Sequence, residues 1–210
     1  AYFDLVGLPP PVEVVDRFVQ DDRPDASERL LDRLLASPQF GVRWGRHWLD
    51  IVGYTDTLTF DDDFGPPIGF IKGKWKYRDY VVQAFSHDKP YDRFIIEQLA
   101  GDEQVPWRTA KEYSPEIIDH LVATGYYRCC EDISLEDPRP FIIWSVLHDT
   151  VQQIGTSSLG LTLNCARCHS HKLEPVPHED YSSLIALVHP ALKTPQRKTP
   201  AQPPTPALSA

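Results

Sequence analysis

Apolar residues in this chain recur three and four apart, segment after segment, and almost nowhere alternate. That period is helical, so most β architectures are excluded before any motif is considered. Behind the stiff lead-in Leu8-Pro9-Pro10-Pro11, residues Val12, Val15, Phe18 and Val19 fall on one helix face. Asp25-Ala26-Ser27-Glu28 reads as an N-cap with an acid three residues on, ahead of Leu30, Leu31, Leu34 and Leu35. Further helices are predicted from about Gln39 to Tyr54, Trp75 to Ser86, Pro90 to Leu99, and Pro115 to near Gly125. A long one starts at Pro140 and runs through Leu147, Val151 and Ile154, bent or broken at Gly155 or Gly160. The last spans Glu179 to Val188. Asp56 to Lys74 is acidic and rich in Gly and Pro, and reads as a loop.

The fold class predicted is mainly α, a single domain of about seven or eight helices with long loops over residues 1–190. Residues 191–210 read as a Pro-rich linker or disordered tail, since six prolines fall between Pro190 and Ala210. The length of 210 residues suits one domain, and 41% hydrophobic content is enough for a core. No apolar stretch approaches the roughly 18 residues of a transmembrane helix. The formal charge of −9 argues against a nucleic-acid partner and is compatible with small-molecule, cationic or protein partners. Ala1-Tyr2-Phe3-Asp4-Leu5 has neither the basic nor the long apolar region of a signal peptide.

Cys165-Ala166-Arg167-Cys168-His169 is the one sharp chemical feature. C-x-x-C-H is the attachment signature for c-type haem. Two thiols three residues apart on a helical turn can each add to a porphyrin vinyl group, and the next residue can turn an imidazole toward the iron. At this chain's usage of Cys and His the motif is expected by chance roughly 0.003 times. A redox dithiol is a second reading, although that motif belongs in a βαβ setting. A zinc site drawn from Cys165, Cys168, His169 and His171 is a third, without the second separated ligand pair such sites usually have.

His169 is therefore the proximal iron ligand expected, and the opposite position needs another group or stays open. The chain has no Met, which removes the common high-potential choice. His171 stands too close to His169 to reach the other face of the same ring. His47 is the preferred second ligand. Arg43, His47, Asp50 and Tyr54 share one helical stripe, with Trp44, Trp48 and Ile51 on the neighbouring stripe to bury it. Arg43 would pair with a haem propionate and Asp50 would orient the His47 ring. His148, one turn after Trp144, is the next candidate. His120 reads as surface, and His178 and His189 as solvated. Leu159, Leu161, Leu163, Leu173 and Leu184 offer an apolar wall near the motif. Cys129-Cys130 is a vicinal pair, read as having no role, with Tyr126-Tyr127 before it as core. Asp61-Asp62-Asp63 offers oxygens for calcium but lacks the alternation of an EF-hand, and reads as a solvated loop.

A wider pattern surrounds the motif. Leu159-Gly160-Leu161-Thr162-Leu163-Asn164 leads in, Ser170-His171-Lys172-Leu173-Glu174-Pro175 leads out, and Asp180-Tyr181-Ser182-Ser183-Leu184 follows. Upstream stand Leu31-Asp32-Arg33-Leu34-Leu35-Ala36-Ser37-Pro38, Arg43-Trp44-Gly45-Arg46-His47-Trp48-Leu49-Asp50 and Arg78-Asp79-Tyr80-Val81. Asp88-Lys89-Pro90-Tyr91-Asp92-Arg93-Phe94 and Gln98-Leu99-Ala100-Gly101-Asp102-Glu103 come between. In this order and spacing, over about residues 1 to 190, they resemble the planctomycete cytochrome-type domain of unknown function. That is the second cytochrome-like domain of large secreted planctomycete proteins. The resemblance implies an exported, multi-domain context and no settled molecular role. The chain departs from the family's pattern between Cys129 and Asp149, and at Ser170, where an acid is usual.

Three functions are compatible with the sequence. The first is an electron-transfer protein or module with one covalent haem c at Cys165 and Cys168, docking a redox partner protein or other cytochrome subunits. The second is a haem enzyme with an open distal position, peroxidase-like or substrate-oxidising. The third is a structural module of a larger exported assembly. Haem attachment takes place outside the cytoplasm, so the location expected is periplasmic or otherwise exported.

Overall fold

A computed structural model describes residues 1–58, 69–70, 73–129 and 140–193. The described part is mainly helical, in agreement with the sequence reading. The helices are α1 (Tyr2–Leu5), α2 (Val12–Val19), α3 (Ala26–Leu35), α4 (Pro38–Ile51) and α5 (Trp75–Ser86). They continue as α6 (Tyr91–Gln104), α7 (Pro115–Ala123), α8 (Pro140–Ile154) and α9 (His178–Lys193). A 3-10 turn follows α7 (Thr124–Arg128), a π turn follows α8 (Gly155–Leu159), and a second 3-10 turn spans Leu163–Arg167. Asp61, Asp62, Asp63, Cys130 and residues 194–210 lie outside the described residues.

Two helix starts share one local device. Ser37 Oγ accepts from Gln39 N with Pro38 in the first turn of α4, and Ser114 Oγ accepts from Ile117 N with Pro115 in the first turn of α7. Each Ser satisfies an otherwise orphaned N–H, and each Pro loses nothing because its missing donor would be unpaired there. Asp25 does not do this for α3. Its side chain makes no cap hydrogen bond and stands 3.8 Å from the Arg29 guanidinium instead. The 56–74 stretch holds one minimal antiparallel ladder, β1 (Thr57–Leu58) on β2 (Gly69–Phe70), where a plain loop was expected. Helix α6 runs on to Gln104, past the predicted end at Leu99, by bending at Ala100. Helix α9 runs through Pro190 to Lys193, across the predicted boundary at 190.

The core forms where α4 lies on α5 and where α8 and α9 close over the C-terminal turns. Close approach of α4 and α5 needs Gly41, since a Cβ there would stand 2.6 Å from the Val82 carbonyl oxygen. Two sets of polar groups enter this core with their hydrogen bonds made. Trp48 Nε1 donates to Tyr77 Oη (3.1 Å) and Gln98 Oε1 (3.0 Å), and Tyr77 Oη donates to the same Gln98 Oε1 (2.5 Å). Glu97, 1% exposed, accepts from Tyr80 Oη, Arg93 Nε and Lys89 Nζ. Helix α2 buries none of its eight residues.

Candidate functional site

The C-x-x-C-H segment is placed by the end of α8. After Ile154 the chain widens into the π turn, Gly160 adopts a left-handed conformation (φ 66°), and Leu161 N closes back on Gly155 O at 2.9 Å. Leu163 then packs so tightly on Gly155 that a Cβ there would meet its Cγ at 2.6 Å. The 3-10 turn that follows puts Leu163 and Ala166 inward. Cys165, Cys168 and His169 are all exposed, and both cysteines are free thiols. One short turn thus hides its small and apolar residues and presents its three reactive groups together.

Hydrogen bonding fixes the imidazole tautomers. A carbonyl only accepts, so His169 Nδ1 carries the proton it shares with Ser170 O at 2.8 Å. In the neutral ring this places the lone pair on Nε2, the arrangement a metal ligand requires. His171 is the opposite case. Its Nδ1 accepts from Leu173 N (3.2 Å) and Glu174 N (2.8 Å), so it pins the following turn and is spent there. His178 Nδ1 donates to Ala166 O at 2.8 Å, and His178 N donates to Ser170 Oγ at 3.3 Å. The start of α9 is thereby tied to the motif itself. His178 is exposed, as the sequence reading expects, and the chain reversal at 170–177 is what brings its ring to Ala166 O.

A second group gathers between α8 and α9. His148 Nδ1 and Tyr181 Oη lie 2.7 Å apart, with Tyr181 only 2% exposed. Burial and the Arg167 guanidinium push the His148 imidazole below its ordinary value, against a smaller opposing pull from Asp149. Burial pushes the Tyr181 phenol up; Arg167 opposes this, and Asp149 and the Cys168 thiol add to it. Trp144 and His189 extend the group outward. Tyr181 lies in the sequence pattern that follows the motif, and the packing of α9 on α8 gives it its partner.

The stripe expected on α4 is dispersed. His47 is exposed with its ring edge-on to Trp44, at 5.4 Å between centroids. Arg43 is exposed and runs along the turn at Gly7. Asp50 pairs with Arg46 at 2.7 Å instead of orienting His47, and Tyr54 Oη donates to Asp56. Trp48 is buried, but Trp44 and Ile51 are 38% and 53% exposed, so the neighbouring stripe does not cover the polar one. The reason is that α4 turns toward α5 along Gly41, Gly45 and Trp48. Helix α4 does meet the π turn that leads into the motif. His120, read as surface, is buried, with Nδ1 donating to Glu116 O. His189 is half-buried. Of the expected leucine wall, Leu163 belongs to the core, while Leu159 and Leu173 are 59% and 84% exposed.

Two exposed free thiols and an exposed imidazole whose Nδ1 is bonded to Ser170 O are the groups a covalent haem would need. The donor set does not suit a closed zinc site, because among the described residues no three His, Cys, Asp or Glu side chains converge as metal ligands. Among the described residues no helix is long and apolar enough to cross a membrane.

A helical domain presenting a C-x-x-C-H turn is the class that fold and site define. The chain belongs to the family described as PSCyt2, protein of unknown function (DUF1549), whose model matches residues 1–192. No curated protein and no solved structure matches it.

Proposed function

We propose that this chain is an electron-transfer module carrying one haem c. Cys165 and Cys168 form the thioether links, and His169 Nε2 is the proximal ligand. The observation that carries the reading is the His169 Nδ1–H bond to Ser170 O, which in the neutral ring turns the lone pair to Nε2. When bound, the haem supplies a one-electron iron couple.

The chain's own residues do the rest. Ala166 anchors the turn, and His178 holds its carbonyl. Leu159 and Leu173 give the porphyrin an apolar resting surface. In the absence of Met, ligation by a second nitrogen places the potential below that of His/Met centres. His47, exposed on α4 where that helix meets the π turn, would be the distal ligand in this reading and Arg43 the propionate partner, without help from Asp50, which is held by Arg46. The net charge of −9 favours a basic redox partner. Maturation outside the cytoplasm makes the module periplasmic or otherwise exported.

The test is an oxidised and reduced absorption spectrum of the full chain from a host with haem c maturation machinery. A c-type reduced spectrum that survives acid–acetone extraction is expected, lost in the Cys165→Ser, Cys168→Ser double variant. A six-coordinate low-spin centre supports the carrier, and a five-coordinate one supports an enzyme with an open position. Absence of haem from a competent host overturns both.

A further inference from the structure

Two histidines stand two residues apart at the turn, and the backbone uses them in opposite ways. Nδ1 of His169 donates to Ser170 O at 2.8 Å. Nδ1 of His171 accepts from Leu173 N at 3.2 Å and from Glu174 N at 2.8 Å. In the neutral rings His169 therefore has its lone pair on Nε2, while His171 has its proton there and no lone pair to offer. The unit between the two rings is the Ser170–His171 peptide. A trans peptide is planar, so its C=O and N–H point in opposite directions. Here the N–H is committed, since His171 N donates to Val176 O at 2.8 Å. Val176 packs half-buried against the core, and its own N closes on Glu174 O at 2.7 Å. The carbonyl of the same peptide is thereby turned the other way, onto His169 Nδ1.

We propose that His171 is a positioning residue for His169: by gathering the amides of Leu173 and Glu174 it closes the 171–176 reversal, orients the Ser170 carbonyl, and so selects the His169 tautomer that presents Nε2 to a metal. Without that carbonyl in place His169 reverts to the form free imidazoles favour, with the proton on Nε2, and an incoming metal must first move that proton. Ser170 is steadied from a second side as well, its Oγ accepting from His178 N at 3.3 Å.

A ligand whose Nδ1–H is held by an acceptor is the more basic one, and more basic ligation favours the ferric state. His171 thus lowers the potential of an iron at His169 without touching it, and to that extent its role rests on the haem reading. The tautomer itself is a property of the haem-free chain.

The experiment uses the full chain without haem, isotope-labelled at nitrogen, at about pH 8, above the ordinary imidazole range. Two-bond proton–nitrogen NMR spectra read which ring nitrogen of each histidine carries the proton, and the His169 signals are those missing in His169→Gln. In the wild type the proton should sit on Nδ1 of His169 and on Nε2 of His171. In His171→Ala the ratio of the two His169 tautomers should swing about tenfold toward Nε2–H, the worth of roughly one hydrogen bond. His171→Asn puts a carbonyl oxygen where Nδ1 accepts, an arrangement Asn supports in turns, and should restore the wild-type ratio. Leu173→Pro deletes one of the two donated amides at an 84%-exposed position and should move the ratio the same way by less. No movement in either His171→Ala or Leu173→Pro overturns the assignment, and so does an equal swing in His171→Asn. Circular dichroism separates these outcomes from loss of the fold. In the haem-loaded chain His171→Ala should raise the midpoint potential by about 59 mV, a tenfold shift in the ferric–ferrous equilibrium, and His171→Asn should not. A moved tautomer with an unmoved potential overturns the effect on the iron. Failure of haem attachment would leave the tautomer outcomes untouched, so the two claims fail separately.

Discussion

Replacing Glu97 by Gln tests whether the N-terminal half of the domain is organised around a buried charge. Glu97 is 1% exposed and accepts from Tyr80 Oη at 2.9 Å, from Arg93 Nε at 2.8 Å and from Lys89 Nζ, whose ammonium also lies 4.6 Å from the Tyr80 ring centroid. Removing one member of a buried ion pair costs about 3–5 kcal/mol when the survivor is left without water. Here Arg93 is 60% exposed and Lys89 22%, so both can rehydrate. The Arg93 contact is then worth only about 0.3–0.5 kcal/mol. The Lys89 bond adds about 1.5–3 kcal/mol, and the amide keeps part of the Tyr80 contact, giving a loss of about 2–3 kcal/mol. For a domain of this size that lowers Tm by roughly 4–12 °C.

The pH dependence is a sharper check. Burial opposes ionisation of Glu97, but the bonds from Lys89, Tyr80 and Arg93 outweigh it and hold the carboxyl below its ordinary 4.5. Its stabilisation is therefore fully present above that value and lost as pH falls through the lower folded-state value. The gap between the wild type and Glu97→Gln, read by urea denaturation, should narrow on acidification, because a protonated Glu97 resembles Gln. A gap that is flat with pH, or below about 1 kcal/mol at pH 7, would refute the reasoning.

Other expectations follow from the same contacts. Gly155→Ala forces a methyl group against Leu163 and should cost about 1–3 kcal/mol, read from the denaturant midpoint; a loss within about 0.5 kcal/mol would contradict the packing described. His178→Ala removes the bond to Ala166 O, so amide exchange around the motif should speed up while the α4–α5 core stays protected. His148 should titrate by NMR below its ordinary 6.5. Because its folded value is depressed, stability should fall as pH drops through and below 6.5, and His148→Gln should flatten that fall. In the haem-free chain, mass mapping should find Cys165 and Cys168 alkylated quickly and the 4%-exposed Cys129 only on unfolding.

The helices were readable because their signals are local. The 3.6 period and the proline starts place α2, α5 and α8 without tertiary information. Local patterning fails where distance decides. The stripe of Arg43, His47, Asp50 and Tyr54 exists on a helical wheel, but the glycines of α4 fix which side meets α5, and that leaves His47 in solvent. The motif cysteines and His169 were visible from spacing alone. The partners of the turn were not, because His178 and Tyr181 reach it only after the reversal at 170–177 and the docking of α9 on α8. The ladder at 57–58 and 69–70 escaped for the same reason, since two-residue strands carry no period.

The central claim is that haem is covalently held by both cysteines of the turn. Intact-mass measurement of the denatured full chain, produced with maturation machinery, tests it most directly. One haem adduct that survives denaturation is predicted. After trypsin cleavage at Arg167, which lies between the cysteines, the two flanking peptides should remain joined through that adduct. An unmodified mass with Cys165 and Cys168 both alkylatable would contradict the account.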